Sequence, residues 1–178
     1  ITRKNELFVN ECLELAQKYD VERFCLADSC GGLFPAKVLY WVNFIQSRNR
    51  SITLNFHFHD HFNLALANAI ACFNCVDILD ASVCGLGKGG GNLNLEDIIY
   101  AARKNNGVAI SQDQILKYAE LLIYLMKDIL NADWQQVLDE YKNMLTAYFN
   151  CTLKEVSSLE KIAQNDAMKF IKMISDGR

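Results

Sequence analysis

The chain has 178 residues, 51% of them apolar and one of them proline, so it can bury the core of an ordinary globular domain. A formal net charge of −3, with no run of basic residues longer than two, argues against a nucleic-acid partner. The most apolar helical stretch, residues 115–130, carries four charged side chains and therefore predicts no membrane span.

Seven cysteines, an odd number scattered through apolar segments, indicate reduced thiols in a cytoplasmic protein. Cys72-Phe-Asn-Cys75 has the C-x-x-C spacing of a zinc site, but the chain offers no second such pair. The favoured interpretation is a pair of core thiols at a helix end.

In chain order, helical and strand patterns alternate up to about residue 104. Apolar residues recur at helical spacing over residues 2–19, 35–45, 63–73 and 93–104. Between these segments, short β-branched or aromatic runs predict strands at 21–27, 52–59 and 76–82. The connections are long enough for right-handed crossovers, so the pattern predicts an α/β fold with parallel strands. From residue 111 the pattern is helical only, at 114–130, 134–149 and 158–175.

The histidines of the chain all lie near the end of the second predicted strand, at His57, His59 and His61. Side chains two apart in a strand share one face, about 6.6 Å apart along the strand. Three imidazoles on one face are typical of a metal site. The alternative is a hydrogen-bonded set of histidines near a strand end.

Polar groups also follow the other two predicted strands. Asp28 ends the first strand, and the glycine-rich segment 80–92 follows the third. In parallel α/β folds, whether the sheet is open or closed, the chemistry lies at the carboxyl ends of the strands. The sequence therefore predicts one functional edge that contains Asp28, the histidines and the glycine loop.

A set of motifs on this edge is similar to a known family. The motifs are Leu26-Ala-Asp28-Ser-Cys-Gly-Gly32, His57-Phe-His59-Asp60, Ala65-Leu-Ala-Asn68, Asp80-Ala-Ser82, Gly85-Leu-Gly87 and Gly91-Asn92-Leu-Asn-Leu-Glu96. In order and spacing they resemble the last strands of the pyruvate carboxyltransferase-type TIM barrels, also called HMG-CoA lyase-like proteins or DRE-TIM metallolyases. The short glycine loop most resembles the 4-hydroxy-2-oxovalerate aldolase branch, because it lacks the catalytic cysteine that the longer loop of HMG-CoA lyases carries.

The resemblance implies roles for individual residues. His57 and His59 take the position of the family's divalent-metal ligands, and Asn92 takes that of an asparagine near the metal. The implied metal is Mn²⁺ or Mg²⁺, although histidines alone would also fit Zn²⁺. His61 stands where relatives carry other residues and is not expected to be a ligand. Asp28 either orients the substrate or a ligand, or is a turn residue, and Gly89, Gly90 and Gly91 form the loop at the substrate.

The implied reaction is cleavage of a 4-hydroxy-2-oxo acid to pyruvate and an aldehyde through a metal-bound enolate. Two other enzyme activities remain open: a Claisen-type acyl-CoA synthase or lyase, and a carboxyltransferase. The latter would need a carbamate-bearing lysine on other strands. A barrel that has lost catalysis and acts as a binding module is a further alternative. So is phosphate binding by residues 87–91 at a helix N-terminus, although the order of a P-loop is not met.

The resemblance covers about residues 5–106 and implies a division of the chain. Residues 1–108 are expected to form strands six to eight of a TIM (β/α)8 barrel, and residues 109–178 an all-helical extension. Three strands cannot close a barrel. We therefore expect a fragment that is inactive alone and lacks the family's carboxylate ligand, arginine and general base. The alternative is a chain that pairs with another chain. The helical extension implies a homo-oligomer or an aldehyde dehydrogenase partner, or simply caps the barrel.

Overall fold

The computed structural model describes residues 1 and 3–106, together with isolated positions 111, 114, 117, 118, 121, 124, 131 and 169. Its elements, in chain order, are α1 (Glu6–Lys18), β1 (Arg23–Asp28), α2 (Pro35–Gln46), β2 (Thr53–Phe58), α3 (Ala65–Cys72), β3 (Ile78–Asp80), a 3-10 turn (Val83–Gly85) and α4 (Leu95–Asn106). This order confirms the predicted alternation of helices and strands, and the 3-10 turn is the one described element that the pattern did not predict.

The chain divides into two compact units, residues 1–98 and 99–178. The predicted domain boundary at 108/109 and the bounds of the three predicted tail helices, other than position 114, lie outside the described residues. In the part of the chain that the structure describes, no helix is both long enough and apolar enough to cross a membrane.

The three strands form one parallel sheet in the order β1-β2-β3. The register aligns Ala27 of β1 with His57 of β2, and His57 with Asp80 of β3. This parallel sheet with intervening helices confirms the predicted α/β class. It also places the carboxyl ends of all three strands at one edge.

The two faces of the sheet differ in chemistry because side chains alternate along each strand. One face is apolar and buried, with Leu26, Leu54, Phe56 and Phe58 all less than 5% exposed. The rings of Phe56 and Phe58 stack with their centroids 5.0 Å apart. The other face carries polar side chains, namely those of Cys25, Asn55, His57 and Asp80.

Local sequence explains where the helices begin and what they bury. Asn5 precedes α1, and its side-chain oxygen accepts a hydrogen bond from the Phe8 amide at 3.0 Å, which is the N-cap expected of asparagine. Pro35 occupies the first turn of α2, where its missing N–H costs no helical hydrogen bond. The small residues of α3 let that helix contact both α2 and β2. These contacts bury the core of the first unit.

The two cysteines of the C-x-x-C pattern lie in different environments. Cys72 is buried at the end of α3, and burial raises the pKa of its thiol to about 12. Cys75 is exposed. The interpretation as a core thiol is therefore confirmed for Cys72 and wrong for Cys75, which lies beyond the end of α3.

Candidate functional site

The site is held together by a short segment that returns to the sheet after the glycine loop. Leu93 is completely buried, its amide donates to the Phe58 carbonyl at 3.0 Å, and its carbonyl accepts from the Ser82 amide at 3.0 Å. It therefore joins the carboxyl ends of β2 and β3. The Asn92 amide donates to the Gly85 carbonyl at 2.9 Å, which closes the loop at its base.

This anchor places Asn92 directly beside His59. The two residues form an isolated antiparallel bridge, and the Asp60 amide donates to the Gly91 carbonyl at 3.0 Å on the adjoining peptide. The Asn92 side-chain NH2 donates to the Leu86 carbonyl at 3.2 Å, so its Oδ1 atom is the polar atom left over. The structure thus brings together two of the predicted ligands from segments about thirty residues apart in the sequence.

His57 and His59 share the polar face, as the strand pattern predicts. Their ring centroids are 5.2 Å apart, and the ring planes meet at 72°. The Nδ1 atom of His57 lies 3.5 Å from an Asp80 oxygen, and Asp80 also accepts from the Asn55 side chain at 3.2 and 3.3 Å. The Asp80 carboxylate therefore lies beside Nδ1 of His57, and Nε2 is the ring nitrogen that remains for a ligand.

Four buried side-chain atoms on this edge or on the polar face have no hydrogen-bond partner among the described residues. They are Nδ1 of His59, Oδ1 of Asn92, Oγ of Ser82 and Oδ1 of Asn55. Buried polar atoms are paired in most native sites, so unpaired ones ask for an explanation. An imidazole nitrogen and an amide oxygen are both donors that divalent cations accept. The residues present therefore fit a metal ion.

The described residues do not supply a complete set of ligands. Among them, no group of three His, Cys, Asp or Glu side chains lies close enough to hold a metal ion. The donors that do converge are two imidazoles and one amide.

Asp28 lies elsewhere. Its register partner is Phe58, so its side chain belongs to the buried apolar face rather than to the face of His57. Both carboxylate oxygens accept backbone amides of the following turn, from Gly32 at 3.2 Å and from Leu33 at 2.9 Å. This geometry is that of the turn residue which the sequence left open, and a catalytic role for Asp28 stays a prediction.

The glycine loop leads into a negatively charged helix start. The amides of Glu96 and Asp97 donate to the Asn94 side chain, and the Glu96 carboxylate accepts the Cys84 amide. Burial raises the pKa of the Asp97 carboxyl, and the neighbouring charges of Glu96 and Asp60 raise it further. Since these carboxylates would repel an anion, the geometry does not favour phosphate binding at residues 87–91.

Two contributions to the site were missed from the sequence. Asp80 stands in one of the family motifs, but its contact with His57 depends on the register between β2 and β3. A parallel pairing in which both strands end at the same level would have predicted it. The anchoring role of Leu93 had no sequence signal other than its apolar character within a polar loop.

With this geometry established, comparisons with known proteins define the class of the chain. Residues 1–122 match the sequence model of the HMGL-like family, and the chain therefore belongs to that family. Its neighbours are TIM-barrel proteins that include lyases and aldolases, so the predicted family and its enzymatic character are confirmed.

Individual relatives share about a third of their residues with the chain over the aligned segments. The chain is 32% identical over 124 residues to a 4-hydroxy-2-oxovalerate aldolase of Pseudomonas putida, covering 67% of this chain and 36% of the relative. It is 34% identical over 101 residues to a homocitrate synthase of Pyrococcus horikoshii, covering 56% of this chain and 27% of that protein.

A solved HMG-CoA lyase from Acinetobacter baumannii superposes with a TM-score of 0.59 at 25% identity, over 72% of this chain and 44% of that structure. The chain thus spans about a third of the length of the two curated relatives named above.

Proposed function

We propose that the intact protein is a divalent-metal-dependent carbon–carbon lyase that cleaves a 4-hydroxy-2-oxo acid to pyruvate and an aldehyde. The observation that carries this proposal is the convergence of His57, His59 and Asn92 on one edge of a parallel sheet. Membership in the HMGL-like family and similarity to 4-hydroxy-2-oxovalerate aldolases support the same reaction.

Each residue of this group has a separable task. His59 and Asn92 would each contribute the buried atom that is otherwise unpaired, and His57 would contribute its Nε2. When bound, a divalent cation supplies the Lewis acidity that polarises a keto oxygen and stabilises the negative charge of an enolate. The glycines at 89–91 bring backbone instead of side chains to the rim, where a Cβ atom would meet His61 or the Gly85 carbonyl. Their contact with substrate stays a prediction.

The chemistry of the donors bears on which metal is bound. Mn²⁺ and Mg²⁺ favour oxygen-rich sites, and Mn²⁺ also accepts imidazole, whereas Zn²⁺ binds histidines readily. The described residues offer both nitrogen and oxygen donors. We therefore infer Mn²⁺ or Mg²⁺ as the working ion, with the remaining ligands supplied from outside the described residues, and Zn²⁺ as an alternative.

The test is exchange of pyruvate methyl protons for deuterium, followed by NMR on the intact protein. Exchange reports formation of the enolate and needs no knowledge of the aldehyde. We expect exchange with Mn²⁺ and its loss with a chelator. No exchange with any of the three divalent ions would contradict the proposal.

A second candidate is a Claisen-type acyl-CoA synthase or lyase. The similarity to homocitrate synthase and to HMG-CoA lyase favours it. This activity would deprotonate the methyl group of acetyl-CoA instead of that of pyruvate. Exchange observed with acetyl-CoA, and absent with pyruvate, would select this second candidate.

Replacing Asp80 with asparagine is expected to weaken Mn²⁺ binding about 10- to 100-fold, as loss of a partner to a metal-binding histidine commonly does. The carboxylate holds Nδ1 of His57, and a neutral amide holds it less firmly. Electron paramagnetic resonance titration of the intact protein with Mn²⁺ measures the affinity.

The matched control is Asp77→Asn. Asp77 directly precedes β3, at the opposite end of that strand from Asp80, and its carboxylate accepts the Leu54 amide at 2.8 Å. The substitution removes the same charge far from the histidines. Equal Mn²⁺ affinities in the two variants would show that Asp80 does not position His57.

A further inference from the structure

The His61 side chain lies between the turn after β1 and the glycine loop. Both segments have glycine at the positions that contact its ring. A Cβ atom at Gly31, in the turn after β1, would lie 2.8 Å from the imidazole Nδ1. A Cβ atom at Gly89, in the glycine loop, would lie 2.5 Å from Nε2 of the same ring. Real Cβ atoms do not approach so closely, so the ring is wedged between the two loops at glycine positions.

The ring of His61 also contacts the predicted metal site. It stacks on His59 with centroids 5.5 Å apart and ring planes within 16° of parallel. The His57 ring meets His59 at a steep angle, with centroids 5.2 Å apart, and the bridge to Asn92 restrains the main chain. The His61 ring is the one of the two neighbouring imidazoles that lies parallel to the His59 ring.

Neither the metal-ligand role nor the turn chemistry accounts for this arrangement. A ligand would point a nitrogen at the metal, whereas both nitrogens of His61 lie against glycine positions. Residue 61 remains exposed at the surface overall, so burial of apolar area does not explain it either. What the ring does is fill the gap between the turn after β1 and the glycine loop.

We propose that His61 is a positioning residue whose imidazole fixes the glycine loop of residues 87–91 against the turn after β1 and holds the His59 ring in its orientation. The fixing of the loop is independent of the reaction. The effect on metal binding rests on the proposed function.

Trypsin tests the fixing of the loop without metal or substrate. Lys88 is exposed in the middle of the loop, and cleavage after it requires the loop to open. In the intact protein with chelator, His61→Ala is expected to raise the rate of cleavage after Lys88 about tenfold, since proteolysis follows the population of the open state. Mass spectrometry identifies the cut at this bond.

Two variants make the result specific to the ring. His61→Phe keeps a flat ring of similar size and is expected to retain most of the protection. Phe62→Ala removes the neighbouring side chain, which is 70% exposed, and should cleave at the rate of the unsubstituted protein. Equal cleavage of His61→Ala and the unsubstituted protein would overturn the proposal.

A double-mutant cycle locates the ring at the glycine. Gly89→Ala should accelerate cleavage in the unsubstituted protein, because the new Cβ meets the imidazole and because the residue has a φ of +72°. In the His61→Ala background only the backbone strain remains. Gly89→Ala should therefore accelerate cleavage about threefold less there than in the unsubstituted protein. Purely multiplicative effects would show that the ring does not fill this space.

Mn²⁺ titration tests the second part of the proposal. His61→Ala is expected to weaken Mn²⁺ binding several-fold, with His61→Phe partly restoring it. Equal affinity in the unsubstituted protein and His61→Ala would overturn the orientation of His59 by His61. Failure of the unsubstituted protein to bind any divalent ion would instead contradict the proposed function. The trypsin test of the loop would be unaffected, because it is made without metal.

Discussion

Replacing His59 with alanine is expected to lower the rate of metal-dependent pyruvate exchange about 10³-fold, because a divalent ion contributes several kcal/mol of stabilisation and each 1.4 kcal/mol is worth tenfold. The substitution removes the imidazole whose Nδ1 is buried without a partner and which lies beside Asn92. Proton exchange by NMR and Mn²⁺ affinity by paramagnetic resonance measure the two consequences separately.

The companion variant His57→Ala should lose activity to a similar extent if both imidazoles hold the ion. Phe62→Ala, at an exposed side chain on the same rim, is the control and should keep the exchange rate. Full exchange activity in His59→Ala would contradict the proposed metal site. Loss of activity with unchanged Mn²⁺ affinity would move His59 from metal binding to another role in the reaction.

Replacing Phe56 with alanine is expected to reduce the free energy of unfolding by about 3–5 kcal/mol, the range for a large aromatic side chain removed from a core. Phe56 is completely buried in the central strand and stacks on Phe58. The substitution would leave a cavity on the buried face of β2, the strand that also carries His57. Urea unfolding of the intact protein, followed by circular dichroism, measures the change.

The same substitution at Phe62 provides the comparison, since it removes an identical side chain that is 70% exposed. Exposed positions without special contacts change stability by less than about 0.5 kcal/mol. A similar loss for both variants would mean that the apolar face of the sheet does not carry the stability of this unit.

Local patterns predicted most of the fold in the described residues. A β-branched and aromatic run predicted the strand that carries Phe56 and His57, and the proline at position 35 predicted the start of a helix. These features depend on neighbouring residues alone, so they can be read without knowing the tertiary structure. The motif order then predicted the family, which the comparisons confirm.

The parts that sequence did not predict depend on contacts between distant segments. The pairing of His59 with Asn92 follows from the burial of Leu93 between Phe58 and Ser82, which no local pattern encodes. The contact of Asp80 with His57 needs the sheet register. The capping of its own turn by Asp28 depends on the fold of the segment after β1, and a catalytic role for Asp28 stays a prediction.

The hydrogen bonds of Leu93 attach the end of the glycine loop to the sheet independently of the residues at the tip of the loop. Hydrogen bonds from Asn92 to Gly85 and from Leu93 to Phe58 close the glycine loop where it meets the sheet. The chain between residues 86 and 91 is therefore not part of any strand. Changes in length within residues 87–90 would alter the loop beside His61 and would spare the main-chain hydrogen bonds of Asn92, Gly91 and Leu93. Under the proposed function, we therefore expect substrate preference to vary through this segment while the proposed metal ligands stay the same.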